Sequence, residues 1–426
     1  MENQNLTLPR GKHIVYAGRF QPFHNGHLAV VKWVLQQAKD ITIIIGSMQE
    51  YGQKRHPLDF NQRREIIQNS LDAQKITNYR IIGIVDFLSD VAWAKKFVKT
   101  TGFKANEMVV LTSNEWAQTS LKKIGVQVMM HPMFLYDLSA TSVRKRIADG
   151  QNWEELVPAP AAEYLKQRNL DKKIALLQIP AADRIGEFMQ RSVAAAGLKG
   201  VILGVSGGID SALLSVLANK TFGKKAHFYF LPFFRRCPYR ENVELLAKKF
   251  KIKIKIIELD KIIQQFAKIL PPAGNVVYGN LKPRIRMAVL YYLAGLKKLM
   301  VLGTTNRSEM EIGYFTKYGD GGVDINPLGD LYKSEIMEMA ADLKIPEDIL
   351  ENAPSAALWP GQTDEKELGI EYYLLDTILK LLNQGFGTRE VSALTDLPLE
   401  KIQKIIDRKK ANIHKLAVPP ICILKS

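Results

Sequence analysis

The feature that most constrains this chain is an arrangement met twice: a short apolar run, a glycine-bearing loop, then a stretch of helical periodicity. The first instance is His13–Ala17, then Gly18-Arg19-Phe20-Gln21-Pro22-Phe23-His24-Asn25-Gly26-His27, then Leu28–Ala38. The second is Val201–Val205, then Ser206-Gly207-Gly208-Ile209-Asp210-Ser211, then an apolar run from Ala212. A strand that turns straight into a helix aims free backbone N–H groups past the sheet edge, which makes a prepared anion site. Two such units call for two α/β sheets, each with its own phosphate-binding crevice.

The rest of the pattern agrees. Ile41–Ile45 is a run of β-branched residues, the mark of a strand buried on both faces. Arg80–Val85, Met108–Leu111 and Val126–Met130 read as further strands, with Asp59–Leu71 and Val91–Thr100 as helices between them. After Val201–Val205 the next strands are Lys253–Leu259 and Leu299–Leu302, and the chain reads as mainly helical from about Ile370. Strands alternating with helices give parallel sheets. The expected fold is therefore α/β, with two doubly wound Rossmann-like domains, mainly parallel sheets and a helical C-terminal part. A proline-rich break at Pro158–Pro160 and the charged Asn169–Lys173 place one domain at 1–168, a linker at 169–179 and a second domain at 180–426.

Composition bounds the alternatives. At 426 residues, 46% hydrophobic and 24% charged, the chain is long enough for two or three buried cores. A net charge of +16 attracts anions: nucleic acid, lipid headgroups or phosphorylated small molecules. The basic residues are dispersed, as in Lys251, Lys253 and Lys255, and form no nucleic-acid tail. Only Cys237 and Cys422 are present, so a disulfide framework or thiolate metal site is not expected. Without a signal core near the N-terminus or a run of roughly 18 apolar residues, the expectation is a cytoplasmic protein that crosses no membrane.

In the first loop, Gly18 and Gly26 lack a β-carbon, so a phosphate can approach the backbone. His24 and His27 share a helical face and can donate hydrogen bonds to phosphate oxygens, their positive character offsetting charge on an attacked α-phosphate. Further on, Ser139 and Thr141 are good helix caps whose hydroxyls can hold β- and γ-phosphates, with Arg144 as a charged clamp. Gly-Arg-Phe-x-Pro-x-His-x-Gly-His together with Ser-x-Thr-x-x-Arg resembles the nucleotidyltransferase superfamily. Over residues 10–168 it looks nearest to the archaeal-type nicotinamide-mononucleotide adenylyltransferases. The resemblance implies that Arg19 and Phe20 lie at the ATP site and that Trp93 stacks on the pyridine ring; as a residue type, Trp93 fits a core position equally well. One departure is Leu135-Tyr136-Asp137-Leu138, where that family usually has an arginine.

The second loop is no Walker motif, since Gly-Lys-[Ser/Thr] is missing. Its glycines can form an anion nest, and Asp210 is placed to hold Mg²⁺. It matches the pyrophosphatase-type loop of enzymes that cleave ATP to AMP and pyrophosphate. Downstream, Gly303–Glu309, Gly313–Gly322, Asp324, Leu331–Lys333, Tyr278–Met287, Trp359–Glu365 and His414-Lys415 resemble NAD synthetase over residues 180–420. The resemblance implies Asp210 and Glu309 as Mg²⁺ ligands, and Gly204, Ser206, Gly207, Gly208, Ser211, Thr304, Ser355 and Lys333 at ATP. It implies Lys317 and Asp320 at the nicotinate end, with Asn280 and Asp324 as further substrate contacts. Arg284 and Arg286 are implied near a dinucleotide at a dimer interface, and His414 and Lys415 on a closing segment; a solvated helix face and a disordered tail are the bland alternatives for these two pairs. The stretch Phe233–Tyr239 departs from the family's Ser/Asp-rich segment.

The resemblances together imply one NAD-forming enzyme with ATP, a pyridine mononucleotide, deamido-NAD and ammonia as substrates, Mg²⁺ as cofactor, NAD as product, and a homodimer or larger homo-oligomer. The six residues expected at the chemistry are His24, His27, Arg144, Asp210, Glu309 and Lys333. No amidase domain for glutamine is visible, so free ammonia is the expected nitrogen donor. Arg284 and Arg286 point to adenylation before amidation; the reverse order stays open. An RNA-modifying protein and a nucleotide-binding module without turnover are the rivals, the first distinguishable by salt-dependent RNA affinity.

Overall fold

Five residues, Ile41-Thr42-Ile43-Ile44-Ile45, are buried without exception, and they form the strand that anchors the first sheet. β-Branched side chains pack well on a pleated surface covered from both sides. The computed structural model describes residues 6–424, apart from 133, 136, 137, 235, 236, 238, 353, 354 and 356–361. The chain divides into two units, Met1–Pro180 with Lys380–Asp396, and Ala181–Leu379 with Leu397–Ser426.

Unit 1 runs β1 (His13–Gly18), α1 (Asn25–Leu35), β2 (Ile41–Ile45), α2 (Phe60–Asp72), β3 (Tyr79–Gly83), α3 (Asp90–Thr101), β4 (Met108–Leu111), α4 (Glu115–Lys122), β5 (Gln127–Met129), α5 (Ala140–Ala148), α6 (Ala159–Gln167) and α7 (Leu170–Gln178). Its sheet is parallel throughout, in the order β3-β2-β1-β4-β5. Val15, Ile44 and Val110 pack with Trp93, Ala94 and Phe97 of α3 in one core cluster. Residues 169–179, expected as a charged linker, are instead almost wholly the helix α7. Leu170, Ile174 and Leu177 lie on one face and are buried, so charge outside that stripe misled the reading.

Unit 2 runs α8 (Ala181–Ala195), β6 (Gly200–Gly204), α9 (Ile209–Phe222), β7 (Ala226–Phe230), α10 (Arg240–Phe250), β8 (Ile254–Ile256), α11 (Asp260–Ile269), α12 (Asn275–Lys297), β9 (Leu299–Val301), α13 (Arg307–Ile312), α14 (Lys333–Asp342), α15 (Glu347–Leu350), α16 (Asp364–Leu368), α17 (Tyr372–Asn383), α18 (Thr388–Thr395) and α19 (Leu399–Asn412). The last residues of α17 and all of α18 belong to unit 1. The sheet order is β8-β7-β6-β9, again parallel. Val201 and Leu203 face one core and Ile202 the other, so β6 is covered on both sides. β7 escapes the sequence reading because His227 interrupts its apolar run. No described helix is long and apolar enough to cross a membrane.

Candidate active sites

In each sheet the strand order reverses beside the strand that feeds a phosphate loop. β1 lies between β2 and β4, and β6 between β7 and β9. Connections diverge at such a point, and the crevice beyond the strand's carboxyl end is where α/β sheets receive ligands.

In unit 1, Gly18 ends β1, and its carbonyl accepts a hydrogen bond from Gly46 N at 2.9 Å, which ties the first loop to the loop after β2. Arg63 of α2, fully buried, donates to the carbonyls of Arg19, Gly46 and Ser47 at 3.1, 2.9 and 3.1 Å. His24 caps α1 and stacks on His27, ring centroids 3.5 Å apart. The His27 Nδ1 accepts from His24 N at 3.1 Å, so the neutral ring carries its proton on Nε2. A β-carbon at Gly26 would lie 3.1 Å from the His24 ring, so glycine is what lets that ring fold over the helix start. Burial and His131 press the His24 pKa down to about 4; burial, His24 and His131 hold His27 well below the usual value. Both rings are neutral at pH 7 in this structure, so they serve as donors rather than as the positive charges expected from the sequence.

Arg144 supplies charge. It donates to Gln21 O at 2.7 Å and to Thr141 Oγ1 at 3.2 Å. Burial, with Arg19 and Arg55 nearby, lowers its pKa to about 10, which leaves it charged at neutral pH. Ser139 caps α5, its Oγ accepting from Ser142 N at 3.0 Å. His56 is buried, and its Nδ1 has no hydrogen-bond partner among the described residues. Burial, then Arg19, Arg63, Arg144 and Lys380, push its pKa to about 3. Four cationic side chains acting on one buried imidazole mark a strongly positive environment.

Two expected contacts have other surroundings. Phe20 is buried, its ring edge-on to Tyr16 and His27, and it supports the histidines from below. Trp93 is 5% exposed, packed with Phe97 and Trp116, with Nε1 unpartnered among the described residues; the core alternative is the one seen. The Leu135–Leu138 departure includes Tyr136 and Asp137, which lie outside the described residues.

In unit 2 the Ser206–Ser211 loop borders a cleft of about 1740 Å³. Gly207 has φ +88°, and a β-carbon there would sit 2.8 Å from Tyr239 atoms, so the turn admits only glycine. The Ser211 hydroxyl accepts from Ser206 N at 3.1 Å. Asp210 opens α9. One carboxylate oxygen accepts from Lys333 Nζ at 2.5 Å and the other from Asn306 Nδ2 at 3.0 Å. Asn306 also caps α13 by accepting from Glu309 N at 2.9 Å, while Glu309 accepts from Asn306 N at 3.1 Å. One capping box thus places Glu309 and a ligand of Asp210 together. Burial and the Asp210 charge raise the Glu309 pKa well above the carboxylate range. Burial opposes the Lys333 charge, but Asp210 and Glu309 outweigh it and hold the ammonium above its usual pKa. Lys333 is positioned by Asp376, which accepts from Ser308 Oγ at 2.5 Å and Ser334 N at 2.8 Å, while Ser308 Oγ accepts from Lys333 N at 2.9 Å.

The other expected residues separate into two groups. Gly204, Ser206, Gly208, Ser211, Thr304, Ser355, Asn280, Arg286, Asp320 and Lys415 line the cleft. Arg286 donates to Leu231 O at 3.0 Å and Lys415 to Gly313 O at 2.7 Å. Arg284, Lys317, His414 and Asp324 do not line it. Arg284 donates to Lys317 O at 3.2 Å, and Lys317 Nζ to the His414 carbonyl at 2.9 Å. Asp324 accepts from Val301 N and Tyr291 Oη at 2.7 and 2.9 Å. Phe233, Phe234, Cys237 and Tyr239 border the cleft; Arg235, Arg236 and Pro238 of that segment, and Trp359–Gly361, fall outside the described residues. Sequence reasoning did not single out Asp364, which is buried and accepts from Tyr314 Oη and Tyr372 Oη at 3.1 and 3.2 Å. The signal lay in the run Gln362-Thr363-Asp364-Glu365.

The pattern of the NAD synthase family matches residues 181–419, and that of the cytidylyltransferase-like family matches residues 15–146. Over 251 residues the chain is 41% identical to the NH(3)-dependent NAD(+) synthetase of Methanococcoides burtonii, covering 58% of this chain and 95% of the relative. The corresponding synthetase of Archaeoglobus fulgidus is 40% identical, covering 56% and 94%. Among solved structures, the NMN synthetase of Francisella tularensis is similar at a TM-score of 0.50 and 30% identity, over 57% of this chain and 97% of that one.

Proposed function

The chain belongs to the NAD synthase family and carries a cytidylyltransferase-like domain ahead of the synthase domain, and from that premise we propose that it catalyses two ATP-consuming steps of NAD formation. In unit 1 the 5′-phosphate of a pyridine mononucleotide attacks the α-phosphorus of ATP, forming the dinucleotide and releasing pyrophosphate. A ring N–H of His24, the Nε2–H of His27 and the Arg144 guanidinium stabilise the charge that grows on the α-phosphate. In unit 2 the nicotinate carboxylate attacks ATP in the same manner, giving an acyl adenylate and pyrophosphate. Ammonia then attacks the carbonyl carbon and AMP departs with the electron pair. The observation that carries the reading is that each loop leaves the strand where its sheet reverses and meets a set of phosphate-directed groups there.

Asp210 and Glu309 suit a hard divalent ion. They are adjacent carboxylates, and the charge of one raises the pKa of the other, an excess that a cation relieves. Mg²⁺ held there would neutralise the departing pyrophosphate. Lys333, fixed through Ser308 and Asp376, contacts the same phosphates, and the Ser206–Ser211 backbone receives them. The dispersed basic charge suits these anionic substrates without a nucleic-acid partner.

Adenylation before amidation is the first reading. Amidation first is favoured by one observation, the similarity to an NMN synthetase at 30% identity. The geometry of Arg284, which lies off the cleft, removes part of the case for a dinucleotide substrate. Assay of purified chain with nicotinate mononucleotide, ATP, Mg²⁺ and ammonium should yield NAD, and no NAD would refute the proposal. Comparing amidation of the mononucleotide with that of deamido-NAD decides the order: the faster substrate is the physiological one.

A further inference from the structure

Residues Lys380–Asp396 stand some 200 positions beyond the rest of unit 1, yet they belong to it. They grip three of its elements. Lys380 Nζ pairs with Glu50 at 2.8 Å, their side chains 3% and 19% exposed. The Gln384 amide bonds the same region: Nε2 donates to Met48 O and Gln49 O at 3.2 and 3.1 Å, and Oε1 accepts from Phe60 N at 3.0 Å. Its carbonyl accepts from Asn61 Nδ2 at 3.3 Å, and the Phe386 ring packs on Phe60 at 5.8 Å. At the other end Lys96 donates to Ala393 O at 2.5 Å and Asp396 Oδ1 at 2.8 Å. The gripped elements are thus the loop after β2, the first turn of α2, and α3.

These elements flank one half of the crevice. The carbonyls of Gly46 and Ser47 hold Arg63, and Gln49 holds Asp86 at 3.1 Å. In the sheet, β2 and β3 lie on one side of β1, while β4 and β5, which lead to α5 with Ser139, Thr141 and Arg144, lie on the other. If the α5 side takes the triphosphate, the β2–β3 side takes the pyridine mononucleotide. We infer that Lys380–Asp396 is a strap that sets the mononucleotide half of the first site, with Lys380 and Gln384 as positioning residues acting through the loop 46–50. The inference rests on the adenylyltransferase reading of unit 1. Neither residue contacts substrate. A small displacement of a binding loop is enough to weaken substrate capture, because bound geometry must be held to fractions of an ångström.

The test is initial-rate adenylation by the full chain, varying pyridine mononucleotide and ATP separately. Lys380→Met and Gln384→Ala should each raise the KM for the mononucleotide about tenfold, equivalent to about 1.4 kcal/mol, and leave the KM for ATP within about twofold. The exchange Glu50→Lys with Lys380→Glu should recover most of what Lys380→Met loses. Should Lys380→Met not fold, Gln384→Ala, a half-buried amide, carries the same measurement. Equal weakening of both substrates, or a lower melting temperature with both KM values unchanged, would overturn the strap as a positioning device. Absence of dinucleotide formation by the unaltered chain would instead refute the adenylyltransferase reading.

Discussion

His24, His27, His56 and His131 show how much of the first site's chemistry is set by burial of single side chains. Each is held below the ordinary histidine pKa, His24 at about 4 and His56 at about 3, chiefly by burial. An unfolded histidine titrates at about 6.5, so between about pH 6.5 and 4 the unfolded chain binds more protons than the folded one. The contribution of neutral burial is therefore complete above about pH 6.5 and is lost as pH falls toward 4, on the order of 3 kcal/mol for His24 alone. Unit 1 should melt at a lower temperature across that window, and His24→Gln should flatten the slope; a melting temperature independent of pH from 7 to 4 would contradict this. A triphosphate placed against these rings favours their charged form. ATP binding should consequently take up protons near pH 6, readable by calorimetry in two buffers of different ionisation enthalpy. Lys333 gives a complementary case. Lys333→Met would leave Asp210 without its ion-pair partner, and breaking a buried pair costs about 3–5 kcal/mol; denaturant unfolding should show a loss of that order together with loss of amidation.

Among the elements, α13 shows how local sequence builds a site. It is only a turn and a half long, and its capping box joins Asn306 to Glu309 while the Asn306 amide reaches Asp210. Asn306→Ala should cost about 1 kcal/mol as a lost cap. Asn306→Asp should keep the cap and the fold but set a third carboxylate against Asp210 and Glu309, so amidation should fall with little change in unfolding midpoint. Such short-range devices were legible. The Ser139 cap, the buried β2 and the glycine turns all follow from residue types at fixed spacing. The supports were not legible, because they join positions far apart. Arg63 is an ordinary residue of a helix until Gly18 and Gly46 meet beside it, and Asp376 reveals nothing until Ser308 folds against it. Arg284 and Arg286 differ by two positions and by just over half a helical turn, so only Arg286 reaches the cleft; the helical face, not the motif, decides this. Lys317 and His414 engage each other instead of the cleft wall.

For the molecule as a whole, two sites on one chain predict separable defects. His27→Ala should reduce adenylation by about 10²–10³-fold and spare amidation, with Asp210→Asn doing the reverse, the range expected on losing one group that stabilises transition-state charge. Loss of both steps from either change in a folded protein would defeat the two-site reading. The fold class and the identity of both loops could be read from the sequence, since each rests on contiguous residues. The membership of 380–396 could not, because hydropathy reports that a segment is amphipathic but not which core it serves.

That interleaving bears on heredity. The chain passes between its units three times, at 180–181, 379–380 and 396–397. A gene stopped after codon 180 would encode a first enzyme lacking the strap, and a gene begun at 181 would carry that strap to a product with nothing to fasten. A cut at 180–181 or 379–380 therefore takes the strap from the first unit, and a cut at 396–397 takes 397–426 from the second. On the two-site reading, a lineage holding this gene makes both units at a fixed one-to-one dose; it can silence either by substitution, but it cannot drop everything after residue 180 and keep unit 1 whole.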